Sequence, residues 1–530
     1  MPLNLSLIIS ITLIIFAGAA TLMSLRRDLM MFQQNSYRTD RYYRWAKQAK
    51  ESTSFMRLTT LASLFFVLTT KFPFIISGGV ACVVTAWITI YLCTRKYKKP
   101  LVMTPRARRI YAMAVILVAL AVSVPLIWLI PAGRAAATLL LATLFASPLF
   151  IILANLILTP VEKAISRRYY NEAVEILKSM PDLKIIGITG SYGKTSTKHY
   201  LHRILSEQFD TLMTPGSFNT PMGVIRTIRE HLKPYNEVFI VEMGAKQPGD
   251  IKEICDMVHP SMGIITAVGE QHLESFKSIE NVQRTKFELA DAIPSDGLIV
   301  LNNDFPFVAN REVTNCEALR YAVSNPEGAD YTVCEIDYQP TGSSFTIVGP
   351  DGKTFTLRTA LVGECNISNL MAACIIAARL GVSEQKIRYA VERIEQVEHR
   401  LNMKRTPGGV TIIDDAFNSN PDGSRMAMDV LRRMTHGRRI VVTPGMIELG
   451  DKQHELNRQL GKTIGESVDI AIVVGQYNRD ALTEGILSTG FPESHLHTVA
   501  SFAESQTLLS TLLQKGDTVL YENDLPDTFK

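Results

Sequence analysis

The first 160 residues of this 530-residue chain hold five apolar runs, at residues 5–24, 56–70, 72–93, 110–130 and 135–158. About 20 apolar residues in a helix cross a hydrocarbon core of roughly 30 Å. The runs therefore predict a membrane region of about five helices, with residues 56–70 the shortest. The first run has no basic stretch before it and no small-residue cleavage site after it, which marks an uncleaved span rather than a signal peptide.

The connections between the runs alternate in charge. One holds Arg26, Arg27, Arg38, Arg41, Arg44, Lys47 and Lys50, and another holds Arg95, Lys96, Lys98, Lys99, Arg106 and Arg108. The connections between them carry only Lys71 and Arg134. Basic loops stay on the cytoplasmic side. Five spans with the N-terminus outside then put both basic connections, and everything after residue 158, in the cytoplasm. The expected location is a multi-pass protein of the cytoplasmic (inner) membrane. This also accounts for the net charge of +4 without a nucleic-acid partner. Seven scattered cysteines, none spaced as C-x-x-C, fit reduced thiols in the cytosol.

After Pro160, β-branched runs alternate with amphipathic stretches, the pattern of α/β units on parallel sheets. One series of strands is expected at residues 184–189, 237–241, 262–266 and 297–301. A second is expected at 410–413, 439–443, 470–474 and 518–521. The domains read as 1–160, 161–396 and 397–530.

Between a strand and a helix lies Gly187-Ile-Thr-Gly190-Ser191-Tyr-Gly193-Lys194-Thr195-Ser196. Glycines let main-chain N–H groups close on phosphate oxygens, and the following helix is expected over residues 196–208. Its N-terminus favours an anion, Lys194 neutralises charge, and Thr195 can offer a hydroxyl to Mg²⁺. Position 188 is Ile where an ordinary Walker A loop has Gly, so the match is G-x-x-G-K-T. The fold class is multi-domain: a helical transmembrane N-terminal region, an α/β P-loop ATPase domain and a C-terminal Rossmann-like α/β domain.

This loop resembles that of the Mur ligase family, and further segments in the same order continue the likeness. Thr214-Pro-Gly-Ser-Phe-Asn219-Thr220-Pro-Met-Gly223 resembles T-P-G-N-F-N-N-x-x-G, and Glu242-Met-Gly-Ala-Lys-Gln-Pro-Gly249 resembles E-x-G-x-x-x-x-G. His272-Leu-Glu-Ser-Phe276 resembles H-L-E-x-F, and Lys286 stands where several members carry a carbamylated lysine. Asn302 and Asp304 resemble L-N-x-D, near adenine. Gly363-Glu-Cys365-Asn366-Ile-Ser-Asn369 resembles G-x-H-N-x-x-N with Cys for His, and Arg400 matches the interdomain arginine, with His399 where the family has Gly. Asp414-Asp-Ala-Phe-Asn418-Ser-Asn420-Pro421 resembles D-D-S-Y-N-A-N-P, and Gly445-Met-Ile-Glu448-Leu-Gly450 with His454 resembles G-D-M-x-E-L-G and its trailing histidine. The likeness covers about residues 181–455 and is nearest the branch that adds D-alanyl-D-alanine.

The resemblance implies an ATP- and Mg²⁺-dependent, ADP-forming ligase joining a peptide-bearing carboxylate to an amino acid or dipeptide amine through an acyl phosphate, in peptidoglycan synthesis. Lys194, Glu242, His272 and Lys286 would be catalytic, with Thr195, Glu242 and His272 on the metal. Gly190, Ser191, Gly193, Lys194, Thr195, Ser196, Asn302, Asn366, Asn369, Arg400 and Asp414 would hold the nucleotide, Asp414 at the ribose and Arg400 at the phosphates. Asn219, Thr220, Asn418 and Asn420 would hold substrate. The uridine-binding domain of the soluble ligases has no counterpart here; the five apolar runs stand in its place, which suits a lipid-linked precursor. The carboxyl-terminal strand lacks the family's K-G-S segment. Two other readings are a membrane polyglutamate-type synthetase and an inactive ATP-binding membrane scaffold.

Overall fold

The structure is a computed structural model and describes residues 5–97, 99–129, 133–339, 342–417, 419–434 and 436–524. Two compact units divide at Arg167 and Arg168. The sequence change at Pro160 does not mark the division, because Pro160 lies inside an unbroken helix, Ser147–Lys178.

The first unit is helical: α1 (Leu5–Gln34), α2 (Thr39–Gln48), α3 (Phe55–Leu68), α4 (Phe74–Thr94), α5 (Pro105–Leu129), α6 (Gly133–Phe145) and α7 (Ser147–Lys178). Helices α1, α4, α5 and α7 are long and apolar enough to cross a membrane. Helices α3 and α6 have 14 and 13 residues, about 20 Å each at 1.5 Å per residue. Two of the five expected spans thus differ from a full-length helix, and the fifth run is split at Ala146. Pro148 supplies no N–H to a continuing turn, and the Arg57 guanidinium takes the last α6 carbonyls, Leu144 O at 3.0 Å and Phe145 O at 3.1 Å.

The two kinds of connection separate to opposite ends of this bundle. At the carboxyl end of α1, Gln33 donates to Val102 O (2.8 Å) and Gln34 to Lys99 O (2.9 Å), joining the two basic connections. At the other end Arg134 donates to Val67 O and Thr69 O at 2.6 Å and to Phe72 O at 2.7 Å, capping the open carboxyl end of α3. Small residues let α1 and α4 approach closely; a Cβ added at Gly78 would come within 2.8 Å of Ile9. Near the basic end, Asp28 is fully buried and accepts from Arg57 at 2.9 and 3.0 Å and from Ser147 at 2.5 Å.

The second unit carries two sheets. The first has strands β1 (Lys184–Thr189), β2 (Thr211–Met213), β3 (Val238–Glu242), β4 (Met262–Ile265), β5 (Leu298–Asn302), β6 (Glu317–Ala322), β7 (Tyr331–Gln339), β8 (Gly342–Val348) and β9 (Thr354–Thr359), in the order β2-β3-β1-β4-β5-β6-β7-β8-β9. It is parallel through β7 and antiparallel beyond. The central strands are apolar throughout because helices cover both faces. The second sheet has β10 (Asn402–Arg405), β11 (Thr411–Asp415), β12 (Arg439–Thr443), β13 (Ile470–Val474), β14 (Leu496–Val499) and β15 (Thr518–Glu522), in the order β10-β11-β15-β12-β13-β14, parallel except for β10. Parallel strands present their carboxyl ends along one edge, where ligands bind in open α/β sheets. The residues at the ends of β1, β3 and β5 are Thr189, Glu242 and Asn302, and Thr266 follows β4.

Candidate active site

The loop after β1 turns sharply at Gly190 (φ +151°) and Gly193 (φ +81°) before the helix Lys194–Leu205. No other residue fits either position. A Cβ at Gly190 would lie 2.1 Å from Thr266 Oγ1, and one at Gly193 would lie 2.5 Å from Asn369 Oδ1. Ser191 pins the loop through its hydroxyl, which accepts from Gly269 N at 3.0 Å. Lys194 Nζ donates to Gly190 O (2.7 Å) and Ser191 O (3.0 Å), folded back over its own loop. A small concavity lined by residues 191–196, Gln271, Arg400 and Asn420 lies beside it, the cradle expected for phosphates.

Glu242 ends β3, in register with Ile188 of β1, and its side chain is 1 % exposed. Oε1 accepts from Thr195 Oγ1 (3.1 Å) and Asn219 Nδ2 (2.9 Å). Oε2 accepts no hydrogen bond and is balanced by the buried Lys198 Nζ at 3.0 Å. Burial raises the Glu242 carboxyl, but Lys198, Lys194 and the Asn219 bond outweigh it and hold it below its ordinary value. A buried carboxylate beside a threonine hydroxyl fits Mg²⁺, which takes oxygen ligands and keeps part of its shell for phosphates and water. Among the described residues no three acidic, imidazole or thiol groups gather as a self-sufficient metal cage.

His272 Nδ1 pairs with Glu448 Oε2. Burial, against that bond, keeps the imidazole below its ordinary value. Lys286 is 2 % exposed and has no hydrogen-bond or ion-pair partner among the described residues. Burial, with Lys194 nearby, pushes its amine well below the usual lysine range. Lys194 feels Glu242, Lys286 feels Lys194, and His272 feels Lys286, so the four groups share one electrostatic neighbourhood.

A wider, open cleft lies on the other side of Gly193 and Ser196. Gly193, Ser196, Asn302, Asn366, Asn369, Arg400 and Asn420 all line it. The asparagines shape the wall more than they reach into it. Asn366 Oδ1 accepts from Tyr200 (2.7 Å), Asn369 Oδ1 from Thr197 (3.1 Å), and Asn302 Nδ2 donates to Thr266 O (2.9 Å). Asp304 takes the N–H groups of Val323, Ser324 and Asn325. Arg400 lies over the Phe417 ring, 4.3 Å from its centroid. Asn420 caps the helix Pro421–Arg432 by accepting from Gly423 N.

Several assignments shift. Of the Asp414–Asp415 pair, Asp415 lines the cleft; Asp414 turns to His399 Nδ1 at 2.8 Å. Adjacent strand residues face opposite ways, and a D-D pair does not say which faces in. Burial, with Glu522 adding and Arg400 opposing, pushes the Asp415 carboxyl up to about 7. Asn219 faces Glu242, and Thr220 caps the helix Pro221–His231; neither lines the cleft. Asn418 lies outside the described residues.

Four contributors went unread in the sequence: Lys198, Tyr192, Asp422 and the role of Glu448. Lys198 had a signal, since it stands one helical turn after Lys194 on the same face. Tyr192 donates to Asp422 Oδ2 at 2.8 Å, joining the phosphate loop to the C-terminal domain, and no local pattern announces a contact 230 residues long.

Burial, with Arg400 adding and Glu242 opposing, brings the Lys194 ammonium down to about 8. ATP affinity of the free enzyme should be level below that pH and fall up to about tenfold per unit above it as the loop loses its charge. Calorimetric titration checks this, and a dissociation constant unchanged from about pH 7.5 to about 9.5 would contradict it.

Two parallel-sheet domains closing on a phosphate loop and a buried carboxylate define a nucleotide-using enzyme. The Mur ligase middle domain matches residues 188–377, and the Mur ligase, glutamate ligase domain matches 399–521. The UDP-N-acetylmuramoyl-tripeptide--D-alanyl-D-alanine ligase of Mycobacterium tuberculosis is 30% identical over 362 residues, 64% of this chain and 70% of that protein. The Bacillus subtilis enzyme of that name is 27% identical over 344 residues, 64% of this chain and 72% of that protein. MurF from Acinetobacter baumannii superposes with a TM-score of 0.61 at 28% identity, covering 68% of this chain and 77% of that one. MurF from Thermotoga maritima, solved with ADP, superposes at the same TM-score with 24% identity, covering 68% and 80%. The chain belongs to the Mur ligase family, ATP-dependent peptide-forming ligases of peptidoglycan synthesis.

Proposed function

We propose that this chain is a membrane-anchored, ADP-forming carboxylate–amine ligase acting on a cell-wall peptide precursor. The observation that carries the reading is the junction of Thr195, Asn219 and the buried Glu242 at the foot of the phosphate loop, whose Gly193 and Ser196 line a cleft walled by Arg400 and Asp415. A substrate carboxylate oxygen attacks the γ-phosphorus and ADP leaves. The amine nitrogen then attacks the acyl carbon, phosphate departs, and one proton is lost from nitrogen.

In this scheme Lys194 and Arg400 neutralise charge on the transferring group. Mg²⁺ held through Thr195, Glu242 and His272 would supply further charge stabilisation. Asp415 faces the nucleotide from the C-terminal side, and Asn420 borders the acceptor side. Burial of Lys286 favours the uncharged amine, the form that reacts with carbon dioxide, which supports its carbamylation to a carboxylate. The relatives' names point to D-alanyl-D-alanine as the amine and a muramoyl tripeptide as the carboxylate.

The helical first unit supports a lipid-linked form of that peptide. It also supports a cytoplasmic-membrane location with five crossings, the short α3 and α6 included, N-terminus outside and ligase domains in the cytoplasm. Membranes holding the protein would be incubated with ATP, D-alanyl-D-alanine and either a UDP-linked or a lipid-linked tripeptide. The expected result is a new amide by mass with equimolar ADP. ADP without amide from either carboxylate would end this substrate assignment.

A further inference from the structure

We propose that Glu448 is the positioning residue for His272, so that the cation site is complete only when the C-terminal domain is closed over the phosphate loop. This rests on the reading of His272 as a cation ligand. A cation ligand must be an imidazole with one ring proton, and Nδ1 is the nitrogen beside Glu448. With that proton on Nδ1 and donated to Glu448 Oε2, the lone pair is on Nε2, the nitrogen left to face a cation. Carboxylate, imidazole and metal in series is a general way to fix a ligand's tautomer and raise its basicity.

The contact joins two rigid loops. His272 holds a left-handed conformation (φ +52°) at the start of the turn Leu273–Phe276. Glu448 is also left-handed (φ +63°), a backbone state that few side chains adopt without support. The segment on either side is tied down: Asn457 Oδ1 accepts from Met446 N at 2.8 Å, Asn478 Nδ2 donates to Pro444 O at 2.9 Å, and Gln453 Oε1 accepts from Leu449 N at 3.2 Å. A main-chain bond from Glu274 N to Glu448 O (3.3 Å) runs beside the side-chain pair. Lys452 pairs with Glu270 close by, tying the same loops without touching His272.

The test measures Mn²⁺ binding by electron paramagnetic resonance on the full-length protein, with a non-hydrolysable ATP analogue present. Glu448→Ala should weaken Mn²⁺ binding by about 10- to 100-fold. Glu448→Gln, whose amide oxygen can still accept from Nδ1, should recover most of it. Lys452→Ala, which removes the neighbouring ion pair and leaves the His272–Glu448 pair in place, should cost much less than Glu448→Ala. Adding His272→Ala to Glu448→Ala should cost little more, since both act through one nitrogen.

If His272→Ala weakens Mn²⁺ binding and Glu448→Ala does not, the positioning role is overturned while the ligase reading stands. If Lys452→Ala costs as much as Glu448→Ala, the pair is only a domain clip and the inference fails. If His272→Ala itself leaves Mn²⁺ binding intact, the assignment of His272 to the cation falls first.

Discussion

Lys194→Ala is expected to lower ATP-dependent ligation by about a thousandfold or more while the protein still inserts into membranes and folds. The ammonium is the one charge carried by the phosphate loop itself, and it donates to Gly190 O and Ser191 O. When it swings to the triphosphate it neutralises charge that builds on the transferring group, an interaction worth several kcal/mol in a water-poor site. Little structural cost accompanies its loss. Position 194 begins a helix, where alanine is well tolerated, and Ser191 borders a concavity that water can enter. Amide product and ADP measured on washed membranes check the effect, and product formation at the native rate would refute the assignment.

Asp28→Ala is expected to destabilise the helical unit by about 3–5 kcal/mol, because it removes the carboxylate at 2.9 Å from the buried Arg57 guanidinium and leaves it only Glu51, at 3.7 Å. Arg57 would keep its bonds to Leu144 O and Phe145 O, and Ser147 would lose the carboxylate it donates to. That loss corresponds to roughly 10 °C in melting temperature for a unit of this size, readable in detergent by the loss of helical circular dichroism. Replacing both charges, Asp28→Ala with Arg57→Leu, should restore much of it, since removing a whole buried pair costs far less than removing half. A melting point unchanged in the single variant would mean that the cluster is hydrated.

The central strands were legible because strands buried on both faces must be apolar along their whole length. Residues 184–189, 439–443 and 470–474 were read to the residue. The antiparallel hairpins β7, β8 and β9 escaped notice because one face meets water and their sequences, such as Tyr331–Gln339, mix charges with β-branched residues. The phosphate loop was legible because its chemistry is contiguous: glycines, lysine and hydroxyl must follow one another to wrap one phosphate. The split of residues 135–158 into α6 and α7 was not, since it depends on Arg57 reaching carbonyls 87 and 88 residues away.

Residue order alone carried the loop, the order of the motifs, and the alternation of basic and neutral connections, because each rests on neighbours in the chain or on a count of charges. Which aspartate of the pair faces the cleft, which hydroxyl and amide grip Glu242, and what orients His272 came only with folding. Those facts depend on side-chain direction and on pairs as distant as His272 and Glu448, 176 residues apart, and no local rule of spacing specifies an angle between two loops that meet across a cleft.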